Sequence, residues 1–364
     1  MENPFHFTGI ASAPSFCNRA KECSDLTHYI RNSQNVLLYS HRRFGKTSLL
    51  HKVLGELDGI TPYYIDLYGT TTVEEFITSV VQALTRTLSP IERTMAWLRE
   101  KLTRLTFQFS LDPVNGLPVV SPFFHGGDQG PVLTELFQLL HSLSEKERLV
   151  VAFDEFQEVT AYGDPAFEKK LRKEIQGHGR IAYIFSGSQR HLLSSMFSDT
   201  NRAFYKLAAS YPLPKISTDH FLSWANELFE KGKKNIPDTV IREVVERCEN
   251  HPMYVQEFLY HLWEEGLGNL GLDALEATIL ERRAIEFINL FKAMTPNQKK
   301  AVKLVAQCQG KKLFSSQNLQ RVGFTTPSQA TRALNSLLTR DEVVHNGSWS
   351  IADPLFKRWI LRLR

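Results

Sequence analysis

The stretch Asn35-Val-Leu-Leu-Tyr-Ser40-His41-Arg42-Arg43-Phe44-Gly45-Lys46-Thr47-Ser48-Leu-Leu50 constrains the fold more than any other part of the chain. An apolar run of strand length enters a short polar turn, and a helical pattern leaves it. A turn closing in Gly-Lys-Thr at a helix start curls backbone N–H groups around an anion, where the helix dipole is positive. Gly45 lets the backbone approach phosphate, Lys46 reaches the β- and γ-phosphates, and the Thr47 hydroxyl is placed for Mg2+. All of Ser40–Ser48 is therefore expected to line a nucleotide. Ser40 stands six residues before Lys46, where the full pattern has glycine, and is expected to cost some conformational freedom there. The bland alternative is a strand, turn and helix that merely contain Gly-Lys-Thr.

A second polar centre follows about a hundred residues later, in Arg148-Leu-Val-Val-Ala-Phe-Asp154-Glu155. Five consecutive apolar residues suit a strand buried on both faces. Acids at its carboxyl end lie where ligands bind in open α/β sheets. Asp154 is placed to hold Mg2+, directly or through water. Glu155 fits the general base that polarises an attacking water. A strand ending in two solvated acids would read the same, so the weight comes from the pairing with Gly45-Lys46-Thr47. Ile181-Ala-Tyr-Ile-Phe185-Ser186-Gly187-Ser188 is another buried strand ending in small hydroxyls. Ser186 is the first candidate to sense a γ-phosphate and Ser188 the second, although capping of the next helix would also account for Ser188. Arg190 and Arg202 could complement phosphate charge, in cis or from a neighbour, but lone arginines are more often surface residues.

At 364 residues the chain calls for two or three domains. A hydrophobic content of 42% and a charged content of 23% are those of an ordinary globular protein. No apolar run reaches membrane-span length, and Met1-Glu-Asn-Pro-Phe-His is not a signal peptide, so a cytoplasmic protein without a membrane partner is expected. Cys17, Cys23, Cys248 and Cys308 show no metal-ligand spacing and read as thiols of a reduced cytosol. The histidines are scattered, so the only metal expected is Mg2+ carried by nucleotide. The net charge of +4 is unevenly placed: from Phe291 onward 13 Lys and Arg face 3 Asp and Glu. That surplus of +10 suggests an anionic partner, or else a solvated basic face.

Taken in order, strands and helices alternate through the first part of the chain, the signature of a parallel sheet. A helix is expected over Pro90–Arg104, and alternation around Phe107–Val120, broken by Asn115-Gly116, suggests an inserted hairpin over about 105–121. Thr218–Lys231, Thr239–Cys248, Met253–Glu265 and Leu272–Ile288 have helical periodicity, an all-α lid of about four helices. The final part has three helices, the third opened by the capping box Thr326-Pro327-Ser-Gln329, and then a hairpin with a type I′ signal at Asn346-Gly347. That is a winged helix-turn-helix. Gln329, Arg332 and Asn335 lie on the exposed side of its third helix, residue types that suit base edges and phosphates. Such a module can also serve protein or intramolecular contacts. The boundaries expected are a P-loop core at 1–215, a helical lid at 216–290 and a winged helix at 291–364.

Together these segments resemble the archaeal-type ATPases of the STAND/AAA+ branch of P-loop NTPases. The resemblance rests on Phe16-x-x-Arg19-x-x-Glu22, on Arg42-Arg43-Phe44-Gly45-Lys46-Thr47-Ser48, and on Phe153-Asp154-Glu155-Phe156. Ser186-Gly187-Ser188, His251-Pro252-x-Tyr254-x-Gln256 and Asp353-Pro354-Leu-Phe356 complete it. It implies an ASCE-type α/β fold with a parallel 51432 sheet, ATP held between core and lid, Arg19 and Pro252 near the nucleotide, and Mg2+ as cofactor. The function it points to is an ATP-hydrolysing switch whose lid loosens on hydrolysis and reorients a winged helix acting on double-stranded DNA. Alternatives are a DNA- or protein-binding regulator with ATP as a slow or structural ligand, and an origin-recognition or clamp-loader-like ATPase. The last expects a lid arginine at the γ-phosphate, for which only Arg242 and Arg247 offer themselves. A protein partner or a homo-oligomer is compatible with each.

Overall fold

The apolar runs of the first part become one parallel sheet in the computed structural model, which describes residues 2–11, 14–87, 97, 100–111, 118–123, 129–266, 271–308 and 312–363. The Asn115-Gly116 turn, and most of the helix expected over Pro90–Arg104, lie outside the described residues. The strands are β1 (Val36–Tyr39), β2 (Ile60–Asp66), β3 (Thr106–Leu111), β4 (Pro118–Phe123), β5 (Arg148–Asp154), β6 (Ile181–Gly187) and β7 (Ala209–Pro212). The main sheet runs β7-β1-β6-β5-β2, with every neighbouring pair parallel. Numbered within that sheet, the order is 5-1-4-3-2, as the resemblance implies. β3 and β4 pair antiparallel as a separate hairpin. β7 was not legible as a strand, because it is a short edge that ends in Pro212, and proline is tolerated only where no ladder donor is required.

Register decides which side chains share a face. Phe153 pairs with Phe185, Leu38 with Ser186, and Asp66 with Asp154. Leu149, Val151, Phe153, Tyr183 and Phe185 therefore enter one core with Phe76 and Val80 of α3 (Val73–Thr87) and with Leu136 and Phe137 of α4 (Gly130–Lys146). Each fully buried phenylalanine there contributes about 2–3 kcal/mol. Asp154 and Ser186, the next residues along, lie side by side on the opposite face at the carboxyl edge.

Two compact units divide the chain. One is Ala20–Ser40 with Leu49–Leu213, and the other is Met1–Arg19, His41–Ser48 and Pro214–Arg364. The first holds the sheet. The second is helical: α7 (Thr218–Lys231), α8 (Asp238–Arg247), α9 (Pro252–Glu265), α10 (Gly271–Arg282), α11 (Ala284–Lys292), α12 (Pro296–Cys308), α13 (Ser316–Val322), α14 (Pro327–Thr339) and α15 (Pro354–Arg362), with the hairpin β8 (Val343–His345) and β9 (Trp349–Ile351). The single helix expected over Leu272–Ile288 is two, parted at Arg283 (φ −93°, ψ 1°). The Arg283 guanidinium is committed to Glu257, at 2.8 Å, and lies 5.0 Å from the Tyr254 ring centre. An N-terminal strap, unread in the sequence, buries Phe5 against Trp224, Phe229 and Trp263.

Local chemistry in the winged helix departs twice from expectation. Thr326 does cap α14, but the Gln329 side chain reaches back to Thr325 and not to the Thr326 amide. The hairpin turn is not type I′. His345 pairs with Trp349 across three residues, Asn346–Ser348, of which Gly347 takes the left-handed conformation (φ 76°). No helix among the described residues is long and apolar enough to cross a membrane.

Candidate functional site

The carboxyl edge of the sheet carries the acid pair on buried strands. Asp154 is buried, and its Oδ2 accepts a hydrogen bond from the Tyr64 hydroxyl at 3.0 Å. Its Oδ1 accepts from the Glu155 amide. Burial and the Asp154 charge hold the Tyr64 phenol far above its usual range, so it remains a donor. A single dry carboxylate anchored this way suits a hard cation that brings most of its own oxygen ligands. Among the described residues no group of three or more His, Cys, Asp or Glu could hold a metal by itself.

Glu155 leaves the strand in the left-handed conformation (φ 52°) and opens the short 3-10 helix Phe156–Tyr162. Its Oε2 accepts from Ser188 Oγ at 3.0 Å and from Gln157 Nε2. The helix-cap reading of Ser188 is thereby corrected. Gln189 caps α6 (Arg190–Ser198), without a side-chain bond, and the Ser188 hydroxyl is spent on the acid. Ser186 is fully buried, and its hydroxyl has no hydrogen-bond partner. Burying an unpaired hydroxyl costs about 1–3 kcal/mol. An orphan at this edge fits a group reserved for a ligand. Arg202 is engaged with Glu168 at 3.2 Å, which speaks against its arginine-finger reading; Arg190 opens α6.

The loop His41–Ser48 belongs to the helical unit. Its left-handed residues are Arg43 (φ 61°) and Gly45 (φ 84°), and Ser40 is not among them. The expected cost of Ser40 therefore does not arise, and the strained non-glycine position is Arg43. Lys46, Thr47 and Ser48 form the first turn of α2 (Lys46–Gly55), so their amides face the positive end of the helix. Lys46 is buried, and its Nζ donates to the His41 carbonyl at 3.3 Å. Ser48 Oγ accepts from the Ala11 amide of the N-terminal strap. Arg19, also buried, donates to the carbonyls of Phe44 and Pro214. It therefore braces this loop through backbone oxygens.

The His-Pro segment meets the same loop. The His251 ring packs edge-on against Phe44, with centroids 4.9 Å apart, and the Arg43 guanidinium contacts the Met253 sulfur. Burial, helped by nearby His41 and Lys215, pushes the His251 imidazole down to about 3. It is a neutral packing group at any physiological pH. Pro252 is buried at the first turn of α9. Two buried residues of that helix also bond other segments: the Tyr254 hydroxyl donates to Asp353 and Gln256 accepts from the His6 amide. Asp353 in turn caps α15.

In the C-terminal part, Gln329, Arg332 and Asn335 are all exposed on α14. The basic surplus, however, is partly spent inside. The buried Glu276 carboxylate accepts from Arg247, Arg358 and Arg362 at 3.1, 2.9 and 2.9 Å, and Lys357 pairs with Glu249. Of the two lid arginines considered for a γ-phosphate, Arg247 is held in this cluster and Arg242 lies near Asp219 at 3.7 Å.

Comparison with known proteins agrees with the fold. The family described as "Probable winged helix domain" matches residues 285–362. No curated protein sequence matches the chain. Among solved structures, a Walker-type ATPase of Pyrococcus abyssi is 21% identical with a TM-score of 0.72, over 98% of this chain and 99% of that one. The ORC2 protein of Aeropyrum pernix, in ADPNP–ADP complexes, is 14% identical with a TM-score of 0.58, over 98% of this chain and 95% of that one. At such identities the shared property is the fold: a parallel P-loop core, a helical segment and a winged helix.

Proposed function

We propose that this chain binds ATP with Mg2+ and hydrolyses it, and that nucleotide state governs a winged-helix domain acting on DNA. The observation that carries this reading is the sheet's carboxyl edge. Asp154, Glu155 and the unpaired Ser186 end β5 and β6, and the neighbouring β1 runs directly into Gly45-Lys46-Thr47. In this reading residues 1–215 form the ATPase core, 216–290 a helical lid and 291–364 the winged helix. Lys46 and the amides of the first turn of α2 balance phosphate charge, and His41–Ser48 cradle the nucleotide. Asp154 and the Thr47 hydroxyl would hold Mg2+, which when bound neutralises charge on the β- and γ-phosphates. Glu155 takes a proton from the attacking water as the new P–O bond forms. The bond to the bridging oxygen breaks, and its electron pair leaves with ADP. Ser186 donates to a γ-phosphate oxygen. Arg19 and Pro252 shape the loop's surroundings.

The switch part of the reading is supported by a chain of contacts within the helical unit. Arg43 of the loop lies 3.7 Å from Glu286, which pairs with Arg283 at 3.0 Å. Arg283 covers Tyr254, and Tyr254 holds Asp353 at the start of the last helix. A second reading has its own observation. Arg358 and Arg362 of α15 both bond the buried Glu276 of α10, which makes α15 an internal docking element, so the winged helix would serve contacts within the protein or with a protein partner. Nucleotide binding tests the core claim. Lys46→Ala is expected to weaken ATP affinity by about a hundredfold or more, through the loss of a charge-assisted phosphate contact. Unchanged affinity would overturn the loop assignment.

A further inference from the structure

We infer that Gln157 is a positioning residue for Glu155 and that Gly187 exists to admit it. The inference rests on the reading of Glu155 as the base. Gln157 is buried two residues past Glu155, and its Nε2 donates to Glu155 Oε2. The opposite amide assignment would set Gln157 Oε1 against a carboxylate oxygen, two acceptors face to face, so the donor orientation is the only satisfiable one. Gln157 Oε1 is itself buried without a partner. The chain thus accepts an unsatisfied acceptor in order to place this one donor.

The space for that side chain is made by residue 187. A Cβ there would lie 1.9 Å from Gln157 Oε1 and 2.8 Å from Leu193 Cδ1. Gly187 has no left-handed backbone to require glycine, so close approach is its reason. Ser188, the next residue, supplies the second donor to the same carboxylate oxygen. The strand end Ser186-Gly187-Ser188 therefore does three separate things: an unpaired hydroxyl, a gap for Gln157, and a donor to Glu155. With Oε2 held from two sides in a buried frame, the rotation of the Glu155 carboxylate is fixed and Oε1 is the oxygen left to take the proton.

Gln157→Met tests this, since it roughly keeps length and volume and removes the donor together with the unpaired acceptor. Wild-type and variant chains are compared for ATP dissociation constant and single-turnover hydrolysis with Mg2+. The expected result is a fall in the hydrolysis rate of about a hundredfold, the effect of an ångström-scale misplacement, with ATP affinity within twofold of wild type. Gly187→Ala, which displaces Gln157 without changing it, is expected to reproduce the loss. The double variant should be no slower than the slower single, because both act through one contact. A Gln157→Met chain that hydrolyses at the wild-type rate, or that loses affinity in step with rate, overturns the inference and leaves the Glu155 reading intact. A wild-type chain that binds ATP and never turns it over overturns both.

Discussion

The sheet's carboxyl edge and the docking face of the C-terminal helix treat buried polar groups in opposite ways. At the sheet edge, Ser186 Oγ and Gln157 Oε1 are buried with no partner, and Glu155 is held on one oxygen. Around α15, the buried Glu276 meets three guanidinium groups, and Asp353 receives the Tyr254 hydroxyl and two helix amides. Unfilled hydrogen-bonding capacity costs stability, and here each case answers to the proposed chemistry: the Ser186 hydroxyl is the group assigned to a ligand, and the Gln157 oxygen is left over from placing its donor on Glu155. Filled capacity costs little and locks architecture. Charge alone did not separate the two: in sequence the basic surplus reads as a partner surface or as a solvated face, and part of it pairs with acids of the protein itself.

Removing a group from each region should therefore act in opposite directions. Glu276→Ala leaves Arg247, Arg358 and Arg362 without their shared acid. The carboxylate side chain is 4% exposed and the arginines 16%, 34% and 46%, so solvent takes up part of the loss. A destabilisation of about 2–3 kcal/mol is expected in urea unfolding, with ATP hydrolysis in the folded fraction little changed. Ser186→Ala should do the reverse. It removes a buried, unpaired hydroxyl, so stability should hold or rise by about 1 kcal/mol while hydrolysis slows. A destabilised Ser186→Ala chain with full activity would make Ser186 a structural residue. The smallest effect concerns the exposed face. Arg332→Ala should weaken duplex DNA binding a few-fold and lower the slope of log affinity against log salt by about one. No duplex binding by the wild-type chain would favour the internal-docking reading.

The motifs were legible because they obey local rules. The apolar run into Asp154-Glu155 needs no tertiary information to read as a buried strand, and Gly45-Lys46-Thr47 carries its own helix start. The elements that escaped are those fixed by distant partners. Phe5 gains meaning only from Trp224, Phe229 and Trp263, and β7 only from β1. The role of Gln157 depends on a glycine thirty residues away. The error over Ser40 has the same origin: backbone conformation within the loop placed its left-handed positions at Arg43 and Gly45, which spacing cannot reveal. A signal for Gln157 did exist. Gln157 stands two positions beyond the acid pair, between the apolar Phe156 and Val159, although Glu158 beside it leaves the stretch only half apolar and the signal faint.

The account stands most directly on Glu155. Steady-state ATP hydrolysis with Mg2+ should be measured for the wild-type chain and for Glu155→Gln, with and without duplex DNA, alongside ATP affinity. Loss of about a hundredfold to ten-thousandfold in turnover, with ATP still bound, is the predicted result. Turnover by the glutamine variant at the wild-type rate would contradict it.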